Sequence, residues 1–162
     1  KGTSADGSDC YAETVFPSNH YSLNATVLIL ETKEKPTTSR KGMILAQNTS
    51  PLFTNWVQYC DSIYQEFINA ISNKDFEKLA FLTEQNCRAM HATANTSNPA
   101  IQFWNQNTFY ITQLIPHLRQ KGMAVFFTID AGANVVLFSL PQDTLTLENE
   151  IKNNIWNFFC FN

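Results

Sequence analysis

The sequence has few charged residues and no long hydrophobic run. Charged residues make up 15% of the 162 residues, and 11 lysines and arginines against 14 aspartates and glutamates give a formal net charge of −3. A nucleic-acid-binding domain needs a surplus of basic side chains, so we do not expect that class. No apolar run approaches the ~20 residues that a membrane-spanning helix requires. The hydrophobic fraction of 44% excludes a disordered chain, and the length predicts one folded domain.

Cysteine is also scarce. The four cysteines are spread along the chain without CxxC spacing, at Cys10, Cys60, Cys87 and Cys160. Neither a zinc site nor a disulfide framework is therefore predicted. Free thiols on apolar helix faces act as small hydrophobes and indicate a reducing, cytoplasmic setting. The polar start without an initiator methionine leads us to expect a piece of a longer protein.

Hydrophobic periodicity predicts helices around a small, mainly antiparallel sheet, an α+β domain of two layers. The predicted strands cover residues 25–32, 123–129 and 133–140, and the predicted helices cover 39–48, 51–71, 75–93, 108–120 and 146–159. Ser50 and Pro51 are expected to begin the second helix as N-cap and first helical residue. Pro116 should kink the fourth helix or mark a boundary, and Gly122 should end it.

Asp130 is the most informative candidate for a functional site. It follows an apolar strand and opens a turn of small residues, Ala131, Gly132 and Ala133. A carboxylate there would lie at the rim of a hydrophobic sheet, where small neighbours let a ligand approach the backbone. The alternative interpretation is a turn-forming aspartate that bonds its own loop amides.

Two further positions admit a functional or a structural interpretation. His91, near the end of the third helix, could contact a ligand or carry a proton, or be satisfied by the last helical carbonyls. The polar stretch 37–42 opens a helix and could hold an anion, or could be a cap with solvated charges. His20 is expected in a loop and His117 on the surface of the fourth helix.

Several short motifs, taken in order, resemble the C-terminal half of the mevalonate diphosphate decarboxylase family, within the GHMP kinase superfamily. They are FTIDAGANV at 127–135, RAMHAT at 88–93, NPAI at 98–101, SRKGM at 39–43, NTSP at 48–51, KDF at 74–76 and SNH at 18–20. Each motif alone is weak, but their order and spacing across nearly the whole chain make the resemblance specific.

The resemblance implies a GHMP kinase C-terminal, ferredoxin-like fold. Residues 1–162 would be one domain, the C-terminal half of a two-domain enzyme whose N-terminal ATP-binding domain is absent. The family uses ATP to phosphorylate and decarboxylate mevalonate 5-diphosphate to isopentenyl diphosphate. ATP and Mg²⁺ would be bound mainly by the absent domain, the assembly would be a homodimer, and the isolated chain would be inactive.

The resemblance also implies roles for individual residues. Asp130 would be catalytic, as base or orienter at the substrate's 3-hydroxyl. Cys10, Ser39, Ala131, Gly132 and His91 would bind substrate, and no residue of this chain would bind metal.

The sequence departs from the family pattern at four positions. The family usually has proline where Ala133 and Ala100 stand, an aromatic hydroxyl where Phe103 stands, and in some relatives a serine where Cys10 stands. Two alternatives therefore stay open. One is a related GHMP enzyme, a mevalonate 3-kinase or phosphomevalonate decarboxylase. The other is a noncatalytic ligand-binding or dimerisation module, favoured if Asp130 is buried and bonded to its own loop.

Overall fold

The computed structural model describes residues 4, 8–33, 35 and 37–161, and side chains as far as residue 154. The described elements are β1 (Asn24–Leu28), α1 (Ser39–Thr49), α2 (Phe53–Ser72), α3 (Phe76–Asn95), α4 (Gln106–Gln120), β2 (Val125–Thr128), β3 (Val135–Ser139) and α5 (Thr144–Phe161). All eight predicted elements are confirmed, although the strands are shorter than expected. The side chain of Cys160 lies outside the described residues. None of the described helices is both long and apolar enough to cross a membrane.

The three strands form an antiparallel sheet in the order β1-β3-β2. Phe126 of β2 lies opposite Phe138 of β3, and Phe127 lies opposite Leu137. Since successive side chains of a strand point to opposite faces, Phe126 and Phe127 serve two different interfaces. The hairpin of β2 and β3 therefore contributes side chains to the hydrophobic core on both faces of the sheet.

Helices cover both faces of this sheet. The face of Phe127 packs against α4 and α5, through Ile111, Ile115, Leu118, Leu147 and Ile151. The face of Phe126 packs against α3 and the end of α2, through Leu79, Ala80 and Ala70. The α+β class is confirmed, but the expected two-layer arrangement is wrong. The consecutive buried residues of β2 are typical of a strand that is covered on both sides.

The ends of the helices follow local capping chemistry, with two corrections. Gly122 has a φ of 89° and its N–H donates to the Arg119 carbonyl, a glycine C-cap as predicted. Pro116 lies inside α4, so it does not mark the helix boundary. Ser50 is not the N-cap of α2, because its hydroxyl accepts from the Leu52 N–H in a turn that precedes the helix.

An ion pair between α3 and α4 binds the outer edge of β2. Arg119 of α4 pairs with Glu84 of α3, and its Nε donates to the Val125 carbonyl at 2.7 Å. Glu84 also accepts the Phe127 N–H at 3.2 Å. Outer-edge groups of an edge strand otherwise form a template for pairing with another chain. The two side chains thus fix β2 and block its edge.

We predict that Arg119→Ala lowers the free energy of unfolding by about 1–3 kcal/mol, because it leaves a mostly buried Glu84 and the Val125 carbonyl without their charged partner. Urea unfolding measures the change. Lys121→Ala is the matched control, since it removes an exposed pair with Glu150, for which about 0–1 kcal/mol is expected. Equal effects of the two substitutions would contradict the structural role of Arg119.

Candidate functional site

The loop that joins β2 to β3 carries Asp130. Residues 129–134 connect the strands, and the Asp130 side chain is exposed at the wall of a cavity of about 380 Å³. The volume is in the range of small-molecule sites. The other lining residues come from α1, α3 and neighbouring loops: Lys35, Ser39, Gly42, Met43, Ala46, Met90, Thr93, Ala94, Phe103 and Ala131. Three parts of the chain thus meet at this carboxylate.

Most of the cavity wall is apolar. Gly42 lets α1 approach closely, since a Cβ at this position would lie 3.1 Å from Cζ of Phe103. Among the lining residues, Lys35 carries a positive charge and Asp130 a negative one, and Ser39 adds a hydroxyl at the first residue of α1. Such a wall suits a ligand that is held by a few polar contacts in an otherwise apolar recess.

Hydrogen bonds of side chains hold the Asp130 loop in place, both to its backbone and from the loop to a neighbouring segment. Nε2 of His91 lies 3.0 Å from the Ile129 carbonyl oxygen. The hydroxyl of Thr108, in the first turn of α4, donates to the Ala133 carbonyl at 2.7 Å. Asn134 Oδ1 accepts the N–H groups of Leu30 and Glu31 at 2.9 and 3.0 Å. The loop is therefore fixed at both ends.

The carboxylate of Asp130 itself has no such partner. No described residue donates a hydrogen bond to it or forms an ion pair with it, and Asn134 instead bonds the neighbouring backbone. The turn-forming interpretation of Asp130 is therefore wrong. A charged group that is exposed at a cavity wall, on a loop fixed by other elements, is available to a ligand.

A second recess, of about 280 Å³, adjoins the same carboxylate. Asp130 and Met90 line both spaces, and the remaining walls are the facing surfaces of α2 and α3 with the end of β2. Trp56 and Cys60 of α2 both donate to Oδ1 of Asn86 on α3, at 2.9 and 3.2 Å. This amide holds the two helices together at that recess.

The structure brings together some of the residues predicted to bind substrate. Ser39 and Ala131 line the cavity with Asp130. Gly132 lines an adjoining recess, where a Cβ would lie 3.1 Å from Cε of Lys35. Cys10 is exposed and does not line the cavity, so the structure does not place it with the others.

His91 is not in the cavity wall. Its side chain is 4% exposed and contacts the rings of Phe103 and Trp104, with centroid distances of 5.9 and 5.1 Å. Its partner is the Ile129 carbonyl rather than the last helical carbonyls, so the structural interpretation named the wrong acceptor. Burial lowers the pKa of His91, against the opposing effects of that carbonyl and of Asp130.

Sequence reasoning missed three residues of this site. The sequence predicted no role for Lys35, Thr108 or Asn134. Asn134 carried the clearest signal, since an asparagine beside a turn of small residues often bonds neighbouring backbone. Nothing in the local sequence indicates that Lys35 lies beside Gly132, because that proximity is tertiary.

The described residues contain no cluster of three or more histidine, cysteine, aspartate or glutamate side chains that could hold a metal ion. A magnesium ion needs several oxygen ligands, and Asp130 supplies one carboxylate.

Comparison with known proteins gives one consistent result. The family model described as "Mevalonate 5-diphosphate decarboxylase C-terminal domain" matches residues 25–160. Diphosphomevalonate decarboxylase from Candida albicans is 32% identical over 139 residues, which are 85% of this chain and 38% of that protein. The chain thus spans well under half the length of this curated relative.

Solved structures agree with the sequence matches. Mevalonate pyrophosphate decarboxylase from Streptococcus pyogenes superposes with a TM-score of 0.79 at 35% identity, over 83% of this chain and 42% of that one. A complex of MDDEF with MVAPP, AMPPCP and magnesium gives a TM-score of 0.80 at 26% identity, over 85% of this chain and 43% of that one.

We predict that Asn134→Ala lowers the free energy of unfolding by about 1–2 kcal/mol, because the N–H groups of Leu30 and Glu31 lose their shared acceptor. Asn134→Asp keeps the acceptor oxygens and is expected to stay near the wild type. Urea unfolding of both variants provides the measurement. If the aspartate variant is destabilised as much as the alanine variant, Oδ1 of Asn134 does not have the anchoring role described here.

Proposed function

Because this chain belongs to the family of mevalonate 5-diphosphate decarboxylase C-terminal domains, we propose that it is the C-terminal domain of a diphosphomevalonate decarboxylase. The whole protein would phosphorylate mevalonate 5-diphosphate with ATP and decarboxylate it to isopentenyl diphosphate. The observation that carries the proposal is the Asp130 carboxylate, which no described residue bonds and which is exposed at a cavity wall on a fixed loop.

In the proposed reaction, Asp130 faces the 3-hydroxyl of the substrate. The hydroxyl oxygen attacks the γ-phosphorus of ATP, the bond to ADP breaks, and the hydroxyl proton leaves as the new O–P bond forms. Phosphate then departs from carbon 3, the bond to the carboxylate breaks to release carbon dioxide, and its electron pair forms the double bond of the product.

Elementary acid–base chemistry limits the part that Asp130 plays. A carboxylate is a far weaker base than an alkoxide, so proton transfer from the hydroxyl becomes favourable only as the O–P bond forms. The negative charge would also stabilise cationic character at carbon 3 while phosphate leaves. Charge placed in advance where it develops in the transition state is a major source of catalysis.

The remaining cavity residues suit an anionic substrate. Lys35 and the N-terminus of α1 bring positive charge to the cavity. We propose that Ser39 and the backbone of Ala131 and Gly132 contact the substrate there. Neither Cys10 nor His91 lines the cavity. A direct contact of Cys10 with substrate stays a prediction, and His91 is given a different role below.

We further propose that the rest of the active site comes from an N-terminal domain that binds ATP with Mg²⁺. Two observations support this division of the active site between two domains. This chain covers about two fifths of the length of its relatives, and a similar protein forms a complex with MVAPP, AMPPCP and magnesium. The isolated chain would then be inactive. Exposed Val27 on edge strand β1 and exposed Ile29, just after that strand, support a homodimer. The exposed free thiol of Cys10 supports a cytoplasmic location.

We predict that Asp130→Asn in the full-length enzyme lowers kcat by about 10²–10⁴-fold, because the amide has nearly the same shape but neither accepts the proton nor carries the charge. The measurement is coupled ADP release together with carbon dioxide release. Mevalonate diphosphate is the substrate, and the monophosphate is the comparison.

Ser139→Ala is the control, since this buried hydroxyl in β3 lies on the same hairpin away from the cavity. A folded Asp130→Asn enzyme with activity within about tenfold of the wild type would exclude the assigned role. A wild type that is active only on the monophosphate would favour a phosphomevalonate decarboxylase instead.

A further inference from the structure

We propose that His91 is a positioning residue that orients Asp130 through the peptide group between them. The inference rests on the proposed function, since it assigns His91 a part in the same reaction. The role of His91 is then indirect, and not the direct substrate contact that the family resemblance implied. Its imidazole is buried and does not line the cavity. The residue acts on the backbone from which the carboxylate projects.

The key contact joins α3 to the end of β2. Ile129 follows the last paired residue of β2, Thr128, so its carbonyl is beyond the described ladder with β3. Nε2 of His91 lies 3.0 Å from that carbonyl oxygen, and the thiol of Cys87 donates a second, weaker hydrogen bond to it at 3.7 Å. Without His91 this buried carbonyl would keep only the weak S–H donor of Cys87, so the imidazole stabilises this one conformation of the chain.

This carbonyl belongs to the same planar unit as the Asp130 nitrogen. A peptide group is rigid, so a hydrogen bond that fixes the Ile129 oxygen also fixes the direction of the Asp130 N–Cα bond. Rotation of the peptide group between Ile129 and Asp130 would turn the Asp130 carboxylate in another direction, even if every other contact of the loop stayed in place. Thr108 and Asn134 hold the far end of the loop, while His91 holds the end next to Asp130.

The contact requires one tautomer of the imidazole. A carbonyl oxygen only accepts, so the proton must be on Nε2. The rings of Phe103 and Trp104 pack against the imidazole and hold it in that orientation. The tautomer can be measured in the resting protein without substrate.

The test compares His91→Phe with His91→Gln in the full-length enzyme. Phenylalanine keeps a ring between Phe103 and Trp104 but has no donor, whereas glutamine keeps an N–H donor and loses the ring. We expect His91→Phe to lower kcat by about 10²-fold, the scale of a 1 Å misplacement, with little change in KM for mevalonate diphosphate. His91→Gln should recover most of that loss.

His117→Phe is the matched control. This exposed histidine bonds a carbonyl of its own helix, so its substitution should leave kcat unchanged. Two-bond ¹H–¹⁵N NMR spectra of histidine-labelled wild type should show the Nε2–H tautomer for the resonance that His91→Gln removes. Should His91→Phe fold poorly, this tautomer and the His91→Gln rates still decide the question.

Three results would overturn the proposal: an unchanged kcat in folded His91→Phe, a kcat in His91→Gln as low as in His91→Phe, or an Nδ1–H tautomer. The same experiments distinguish a failure of the positioning role of His91 from a failure of the proposed decarboxylase function. A wild type without decarboxylase activity refutes the function, while the tautomer still tests the contact. An active wild type that needs Asp130 but tolerates His91→Phe refutes this inference alone.

Discussion

The hydrogen bonds to the backbone of the loop between β2 and β3 are the constraint on which the candidate site depends. Side chains from α3 and α4 satisfy its carbonyl groups, and Asn134 ties it to the segment after β1. Because the protein bonds this backbone, the loop keeps one shape without using the Asp130 carboxylate. His91 and Thr108 lie outside the loop, and no described residue bonds the Asp130 carboxylate, which is therefore available to a ligand.

The same elements that fix the loop also build the core. α3 packs on one face of the sheet through Leu79, contributes Cys87 to the other, and carries Glu84 to the outer edge of β2. α4 covers the face of Phe127 and places Thr108 under the loop. The position of Asp130 is therefore a consequence of how the helices pack, and the site requires no separate scaffold.

The sequence predicted the features of the fold that depend on residues close to one another along the chain. The periodic apolar stripes located the helices, Gly122 marked a helix end, and the small residues after Asp130 marked the loop. It did not predict what depends on distant contacts. Pro116 fits inside α4, and His91 bonds a carbonyl 38 residues away. Lys35 lies beside Gly132, which is far from it in the sequence. The substrate-binding assignments came from resemblance, and the structure supports a cavity position for Ser39 and Ala131 but not for Cys10 or His91.

The central claim is that Asp130 faces the reacting oxygen of a substrate held in this cavity. The most direct measurement is a crystal structure of the full-length enzyme with mevalonate diphosphate bound. The account predicts that a carboxylate oxygen of Asp130 lies about 2.6–3.2 Å from the 3-hydroxyl oxygen, with the loop backbone unchanged. A substrate bound away from the cavity, or a carboxylate turned toward its own loop amides, would contradict it.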